Sequence, residues 1–542
     1  MKAKIMIIIM ILFLSVSLAF AGGDVEQSND TADVRFNRTG FPIVDEKITL
    51  NFVAKSAPLA PPYNEMTLFQ RLEEETGVHI NWDNIPDNIY DEKINLLLAA
   101  KNLPDAFFNT GLSELDISKY GDQGLFVPLE GLIDEYMPNL TDRIFSVRPG
   151  YRKGITAPDG HIYSLPEVEE MAITTPDGTV IPIGAVPYFY AINKNWIDKL
   201  NMEVPDTIEE LHDVLLAFKN EDPNGNGKAD EIALSFMHMG WCMDIGDLFA
   251  VFGLPDNLDH RIVRNGEVIF TAMQEEYRQA LAYYHTWVEE GIIDVESFSQ
   301  DPPQYLSKGK NPDYILGSFV WWEIPEVVGT DRADDYILLP PVKGFTGERI
   351  VGRSNFGVYG KTAFSITKDN QYPEITARWV DNLFEPYTAA QLRWGPIGEI
   401  YEKTAEGKLV NLPLPEGVTM GELRQKVAPG GGSPSIVLAE DFGTIVDMEP
   451  RAVERLENIV DVYSPFLVSE NYPQVTFTVE ELQVIDELLG DVMELTNEKR
   501  AGWLMNGFSD KDWEKYLKVL NSIGINELIS VYQSALDRYN NY

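Results

Sequence analysis

Three short segments decide the fold: ITLNFV (residues 48–53), VHINW (78–82) and DAFF (105–108). Each is a run of β-forming residues, and each predicts a strand. Apolar residues at helical spacing predict helices between them, at about 66–75 and 91–101, and Gly77 stands where a helix C′ glycine is expected. Strand–helix–strand repeats of this length predict a parallel sheet in an α/β protein.

The same pattern restarts further along the chain. Strands are predicted at 188–192, 232–236 and 363–367, and helices at 194–200, 207–220, 271–291 and 373–384. Thr207 and Glu210 form a capping box at the start of one of these helices. Helical periods at 480–495, 510–523 and 526–539 predict a helix-rich C-terminal third.

Composition limits the possible partners. The 542 residues include 85 Asp and Glu against 43 Lys and Arg, which gives a formal charge of −42. Such a surface repels nucleic acid and anionic membranes, so no nucleic-acid partner is expected. With so many carboxylates, a pair of acidic residues is poor evidence for a glycosidase.

The first residues predict export. Lys2 and Lys4 precede an apolar run that ends in Ala19-Phe20-Ala21, so we expect a signal peptide at 1–21, followed by a polar leader at 22–46. Cys242 is the single cysteine, which excludes an internal disulfide. No cysteine stands near the cleavage site, so we expect a periplasmic or extracellular protein that is not lipid-anchored.

The segment DPNGNGKADE (222–231) is similar to the first half of an EF-hand calcium loop. Position 12 would be Ala233, so Glu231 must replace the usual bidentate glutamate. The predicted calcium ligands are Asp222, Asn224, Asn226, Lys228 through its carbonyl, Asp230 and Glu231. Because a strand rather than a helix is predicted to follow, we expect a structural clip and not a sensor. A turn-rich loop without metal remains the alternative.

Longer stretches resemble a known family. They include FQRLEEETGVHINW, KINLLLAAKNLPDAFFN, GLFVPLEGLIDEYMPNL, YAINKNWIDKLNMEVPDTIEELHDVLLAFKNEDPNGNGKADEI, WGPIGEIYEK and SDKDWEKYLKVLNSIGINELISVYQSALDRY. In order and spacing the chain resembles extracellular solute-binding proteins of ABC importers, in the oligosaccharide-binding branch that includes calcium-containing alginate-binding proteins.

The resemblance implies a two-lobed periplasmic-binding-protein fold with a cleft between the lobes. We expect one lobe at 47–185 plus 345–390, and the other, with the calcium loop, at 186–344 plus 391–542. The implied function is to capture an oligosaccharide by lobe closure and deliver it to the membrane subunits of an ABC importer. We expect a monomer with no catalytic residues.

Candidate ligand contacts are residues that suit sugars, which need flat apolar faces and planar polar groups. They are Tyr63, Asn64, Asn109, Trp241, Trp321, Trp322, Arg353, Asn355 and Trp394. Strand alternation predicts that only one of the adjacent Trp321 and Trp322 reaches the cleft. Arg353 and Arg393 are a hint of a uronate-containing ligand. A core or rim position remains the alternative for each residue.

Two other functions stay open at this point. One is a secreted calcium-dependent carbohydrate-active enzyme, a lyase or hydrolase, which needs an acid/base pair in the cleft. The other is the same fold with a peptide or another solute in the cleft. Release of new reducing ends or unsaturated products from glycans would identify the enzyme.

Overall fold

A computed structural model describes residues 34–57, 60–175, 178–355 and 359–541. The expected signal peptide and the first part of the polar leader lie outside these ranges.

Strands in the described residues are β1 Ile48–Ser56, β2 Val78–Pro86, β3 Ala106–Phe108, β4 Leu165–Glu169, β5 Ala172–Thr174, β6 Val180–Pro182, β7 Phe189–Asn193, β8 Arg261–Arg264, β9 Glu267–Phe270, β10 Ser318–Trp321, β11 Tyr336–Leu338, β12 Tyr359–Ile366, β13 Tyr401–Lys403, β14 Leu409–Asn411 and β15 Ile436–Val437.

The α-helices are α1 Thr67–Thr76, α2 Asp87–Ala100, α3 Glu114–Asp122, α4 Glu130–Tyr136, α5 Pro149–Ile155, α6 Lys194–Lys199, α7 Ile208–Asn220, α8 Glu275–Glu289, α9 Pro302–Gly309, α10 Ile324–Val328, α11 Pro373–Asp381, α12 Pro386–Trp394, α13 Met420–Val427, α14 Pro450–Asn458, α15 Val479–Asn506, α16 Asp510–Ile523 and α17 Ile525–Asn540.

The first sheet confirms the parallel units predicted at its centre. Its order is β15-β4-β12-β3-β1-β2, and β1 runs parallel to both β2 and β3. Gly77 closes α1 in the left-handed conformation at φ 75°. The later strand β12 enters antiparallel between β3 and β4, so the sheet is mixed.

A second sheet of order β10-β7-β11 is antiparallel throughout. The capping box of Thr207 and Glu210 opens α7 as predicted. The strand predicted at 232–236 is wrong as a regular element. Ile232 and Ser235 form isolated parallel bridges to Leu316 and Phe319, whereas Leu234 between them bridges to Ile293, so no continuous ladder forms.

Two large cores lie on the two sheets. Phe52, Phe108 and Trp379 belong to the core of the first sheet. Trp287 of α8 and Trp503 of α15 belong to the core that includes the second sheet. The mixed α/β architecture in two lobes agrees with the predicted fold class.

A smaller core joins α12, α13 and α14. It contains Trp394, Met420 and Leu456, together with Met171 and Val437, which flank or belong to the first sheet. The chain therefore returns to the first sheet at β15, inside the range 391–542 that was expected in the other lobe. The lobe boundaries themselves stay a prediction.

The helix-rich C-terminal third is present, and α15 is longer than its predicted period. It is held to the second core by a buried ion pair: the Arg500 guanidinium donates to both oxygens of Asp244 at 3.0 and 2.6 Å. Within the described ranges, none of the helices is long and apolar enough to cross a membrane.

Candidate functional site

A cleft of about 1000 Å³ lies between the two sheets and the α12–α14 unit. One wall comes from the first sheet, through Ala57 after β1 and Glu167 and Glu169 of β4. The opposite wall comes from the end of β10 and from the loop at Trp241. Helices α12–α14 supply a third, arginine-bearing side.

Tryptophans form the wall at the end of β10. Trp321 stacks on Tyr305 with ring centroids 5.6 Å apart, and Trp322 receives the ring of Trp241 edge-on at 4.5 Å. Trp241 is 41% exposed, so part of its surface is open to a ligand.

Both Trp321 and Trp322 line the cleft, so the prediction that only one would reach it is wrong. The physical reason is that β10 ends at Trp321, and Trp322 no longer follows strand alternation. Both indole nitrogens donate to the same oxygen, Oε2 of Glu326, each at 2.6 Å. One carboxylate therefore orients two aromatic rings.

Arginine–glutamate pairs cover the side near the first sheet. Arg393 of α12 donates to Glu167 at 3.0 Å and also to Glu169. Burial raises the pKa of Glu169, but the Arg393 guanidinium outweighs it and holds the pKa below its usual value. Arg424 donates from Nε to the Arg393 carbonyl at 2.9 Å, and it makes no other hydrogen bond within the described part of the chain.

A second set of pairs joins α14 to α10. Arg451 donates to Glu323 at 2.7 Å, and its Nε lies 3.0 Å from Oε1 of Glu449. Burial raises the pKa of Glu323, against the lowering effect of Arg451. The Arg455 guanidinium lies over the Trp322 ring at 5.0 Å, a cation–π geometry.

Of the predicted ligand contacts, the structure brings Trp241, Trp321, Trp322, Asn355 and Trp394 to the cleft lining. Trp394 is only 2% exposed and packs edge-on against Phe442. The Asn355 side chain is already bonded to Asp259, to the Arg261 carbonyl and to the Tyr472 amide. Whether these residues contact a ligand stays a prediction.

Four predicted contacts are not lining residues. Tyr63 is 1% exposed in an aromatic core and donates to the Lys55 carbonyl, because the chain turns back after β1. Asn64 lies exposed on the same turn, and Arg353 is half-buried near the predicted lobe boundary at 344/345. Asn109 lies behind the lining and donates to the Gly431 carbonyl at 3.3 Å.

Sequence reasoning missed the charged residues of the cleft. They are Glu167, Glu169, Glu323, Glu326, Arg424, Glu449, Arg451 and Arg455. The sequence contains 85 acidic residues, and no pattern distinguishes these glutamates from the others. The arginines lie on helices whose apolar periodicity indicates only packing.

The candidate calcium loop is a compact turn. The Asp222 carboxylate accepts the amides of Asn226 and Gly227 at 3.0 and 2.9 Å. The side-chain amides of Asn224 and Asn226 both donate to Asp230 at 3.1 Å. Lys228 is paired with Asp313 outside the loop.

Glu231 gives the clearest test of whether the loop fits a cation. It is 3% exposed, and its Oε1 has no hydrogen-bond partner among the described residues. Burial and the nearby carboxylates of Asp230 and Asp222 raise the pKa of Glu231. The Lys219 ammonium reaches the same residue but donates to its backbone carbonyl, at 3.4 Å. No group of three His, Cys, Asp or Glu side chains within the described ranges is close enough to hold a metal. A calcium ion in this loop would thus need amide and carbonyl oxygens as ligands in addition to the carboxylates, and calcium stays a proposal.

Two lobes of α/β structure around a cleft of aromatic and paired ionic side chains define a ligand-capturing, two-lobed binding protein. The chain belongs to the family of bacterial extracellular solute-binding proteins, whose model matches residues 57–387. This confirms the resemblance drawn from the sequence.

Relatives with known functions are similar over nearly the whole length. The chain is 38% identical over 536 residues to the fructooligosaccharide ABC transporter substrate-binding protein FusA of Streptococcus pneumoniae serotype 4, with 97% of each chain covered. It superposes on FusA in complex with kestose, and on a FusA EF-hand mutant in complex with fructo-nystose, with a TM-score of 0.85 over 91% of this chain and 100% of FusA.

The alginate-binding protein AlgQ2, solved without calcium ion, is similar in fold. It has a TM-score of 0.71 at 21% identity and covers 92% of this chain and 100% of its own.

Proposed function

We propose that this chain is the ligand-capturing subunit of an ABC importer, and that it binds a neutral oligosaccharide in the cleft and delivers it to the membrane subunits. The observation that carries the proposal is the cleft itself, with Trp241 and Trp322 on one side and Arg424 on the other. Indole faces suit the apolar faces of sugar rings, and guanidinium groups suit their hydroxyls. The 38% identity to FusA over nearly the full length supports the same function.

The balance of charge favours a neutral sugar over a uronate. Five glutamates and four arginines line the cleft, so there is no positive excess. Arg393 is committed to Glu167 and Glu169, which leaves little of its charge for a ligand carboxylate. Arg353, the other arginine considered for a uronate, is not a lining residue. The cleft therefore favours a fructose-containing or other neutral oligosaccharide over the uronate-containing ligand considered from the sequence.

Three finer points belong to the same proposal. A calcium ion at the 222–231 loop is a structural clip, because the loop lies between α7 and the bridges at Ile232 and contributes no lining residue to the cleft. The mature protein is exported, is not lipid-anchored and acts as a monomer. The lobes, at 47–185 plus 345–390 and 186–344 plus 391–542 except for β15, close on the ligand.

Calorimetric titration of the calcium-loaded protein tests the function. Kestose or nystose is compared with a neutral gluco-oligosaccharide and with an oligouronate of similar length. We expect saturable binding of a neutral sugar, and a rise in unfolding free energy of about 2.7 kcal/mol at a hundredfold excess over Kd. Preference for the oligouronate, or binding of none of the sugars, would refute the proposal.

The same incubations separate binding from catalysis. After prolonged incubation each sugar is analysed for new reducing ends and unsaturated products. Unchanged sugar at stoichiometric binding is expected for an importer subunit, whereas sustained turnover would identify the enzyme considered from the sequence.

A further inference from the structure

Glu326 occupies an unusual position at the junction of the aromatic and ionic walls. It lies on α10, directly after the tryptophans at the end of β10, and it is one of the residues that line the cleft. Its Oε2 accepts the indole N–H of Trp321 and that of Trp322, each at 2.6 Å. An indole has a single N–H, so each of these bonds selects one orientation of its ring.

The other oxygen of Glu326 is approached from the third, arginine-bearing side of the cleft. Arg451 of α14 approaches Oε1 at 3.4 Å while its main bond goes to Glu323. Helix α13 comes so close that a Cβ on Gly421 would lie 1.9 Å from Oε1. The glycine therefore leaves the space in which this carboxylate sits.

The other contacts of the two rings are packing contacts. Trp321 stacks on Tyr305 at an interplanar angle of 26°. Trp322 meets the edge of Trp241 and lies under the Arg455 guanidinium. The shared hydrogen bonds to Glu326 are the directional contacts of both rings.

We propose that Glu326 is a positioning residue of the cleft, which sets the ring planes of Trp321 and Trp322 so that a sugar can stack, and whose own place is set by Arg451 and Gly421. This inference rests on the proposed function, because it assumes that the cleft binds an oligosaccharide. Charge-assisted bonds from both indoles make the carboxylate hard to replace with water.

Two measurements on the same variants test the proposal. Affinity for kestose is measured by calorimetry, and the indole N–H resonances of Trp321 and Trp322 are followed in protein labelled with ¹⁵N at tryptophan, without ligand. The ten tryptophans are assigned with single Trp→Phe variants. We expect Glu326→Ala to move both resonances together and to weaken binding by about tenfold or more.

Conservative and indirect variants sharpen the test. Glu326→Gln keeps a carbonyl acceptor, so we expect it to retain most of the affinity and smaller resonance shifts. Gly421→Ala displaces the carboxylate from the α13 side of the cleft, against the end of a flexible side chain, so it reproduces the effect if Glu326→Ala fails to fold. Glu454→Ala on the exposed side of α14 is the matched control and should change neither measurement.

Each contrary outcome has its own meaning. Loss of affinity with both indole resonances unmoved would overturn the proposal, since Glu326 would then contact the sugar itself. Moved resonances with unchanged affinity would overturn it as well. If the wild-type protein binds no oligosaccharide, the proposed function fails, and the binding part of this inference fails with it. A failure confined to the resonances leaves the proposed function intact.

Discussion

Trp241 stands edge-on to Trp322, with ring centroids 4.5 Å apart and ring planes at 82°. Trp241 is among the exposed large apolar side chains, whereas Trp322 is partly covered. The edge-on contact therefore uses the edge of one ring and the face of the other, and it leaves a face of Trp241 free. An exposed indole in a cleft favours aggregation of the protein unless a ligand covers the ring, so it is typical of a binding site.

Replacing Trp241 with alanine should weaken oligosaccharide binding by about 1 kcal/mol, or roughly fivefold, because one stacking face is lost. Stability should change little, since 41% of the side chain is already exposed. Calorimetry gives the affinity and urea unfolding the stability. Phe345→Ala, an exposed aromatic outside the cleft lining, is the control. Equal affinity in both variants would remove Trp241 from the binding surface.

The buried pair of Arg500 and Asp244 should be a strong anchor of α15. Both side chains are almost fully buried, so Arg500→Met leaves an unpaired carboxylate in the core. We expect a loss of about 3–5 kcal/mol in the free energy of unfolding, measured in urea. Adding Asp244→Asn removes the stranded charge but keeps an acceptor for the Met239 amide, so the double variant should recover part of the loss. A double variant no more stable than Arg500→Met would contradict this.

Asp381 should make stability depend on pH. Burial raises the pKa of Asp381 to about 7, although Asn139 and Leu140 donate to its carboxylate. The folded protein thus holds this proton more tightly than the unfolded chain. The contribution to stability is present below the usual carboxyl pKa of about 4 and is lost as the pH rises through 7.

The measurement compares wild type with Asp381→Asn from pH 4 to pH 8 by thermal unfolding. We expect the variant to be less stable overall, because one accepting oxygen is lost, but to show a smaller fall in stability with rising pH. Parallel curves for the two proteins would show that Asp381 is already ionised across this range.

Local rules were enough to predict the framework of the first sheet. The alternation at Ile48–Val53 and the helix stop at Gly77 are decided by neighbours in sequence, and both are present in the structure. The antiparallel entry of β12 and the return at β15 join segments hundreds of residues apart. No periodicity within either segment carries that information.

The residues of the cleft also fall into those that the sequence predicted and those that it did not. Tryptophans are rare and chemically conspicuous, so four that line the cleft stood out in the sequence: Trp241, Trp321, Trp322 and Trp394. In the sequence, Arg451 and Glu326 cannot be told apart from other charged helix residues. Only the packing of α14 against α10 brings their side chains together. Tyr63 was misplaced because proximity to the end of a strand does not tell whether a side chain turns inward.

Removal of calcium should lower the midpoint of thermal unfolding and leave the choice of sugar unchanged, because the 222–231 loop contributes no residue to the cleft lining. The buried and unpartnered Oε1 of Glu231 is the atom expected to gain most from the ion. Scanning calorimetry with chelator, then with calcium or magnesium restored, measures the effect, and calcium should restore the midpoint more fully. Glu231→Gln should lose most of the calcium response, whereas Asp313→Asn, which removes only the outside partner of Lys228, should keep it. A midpoint indifferent to chelator in the wild-type protein would show that the loop is a turn without metal.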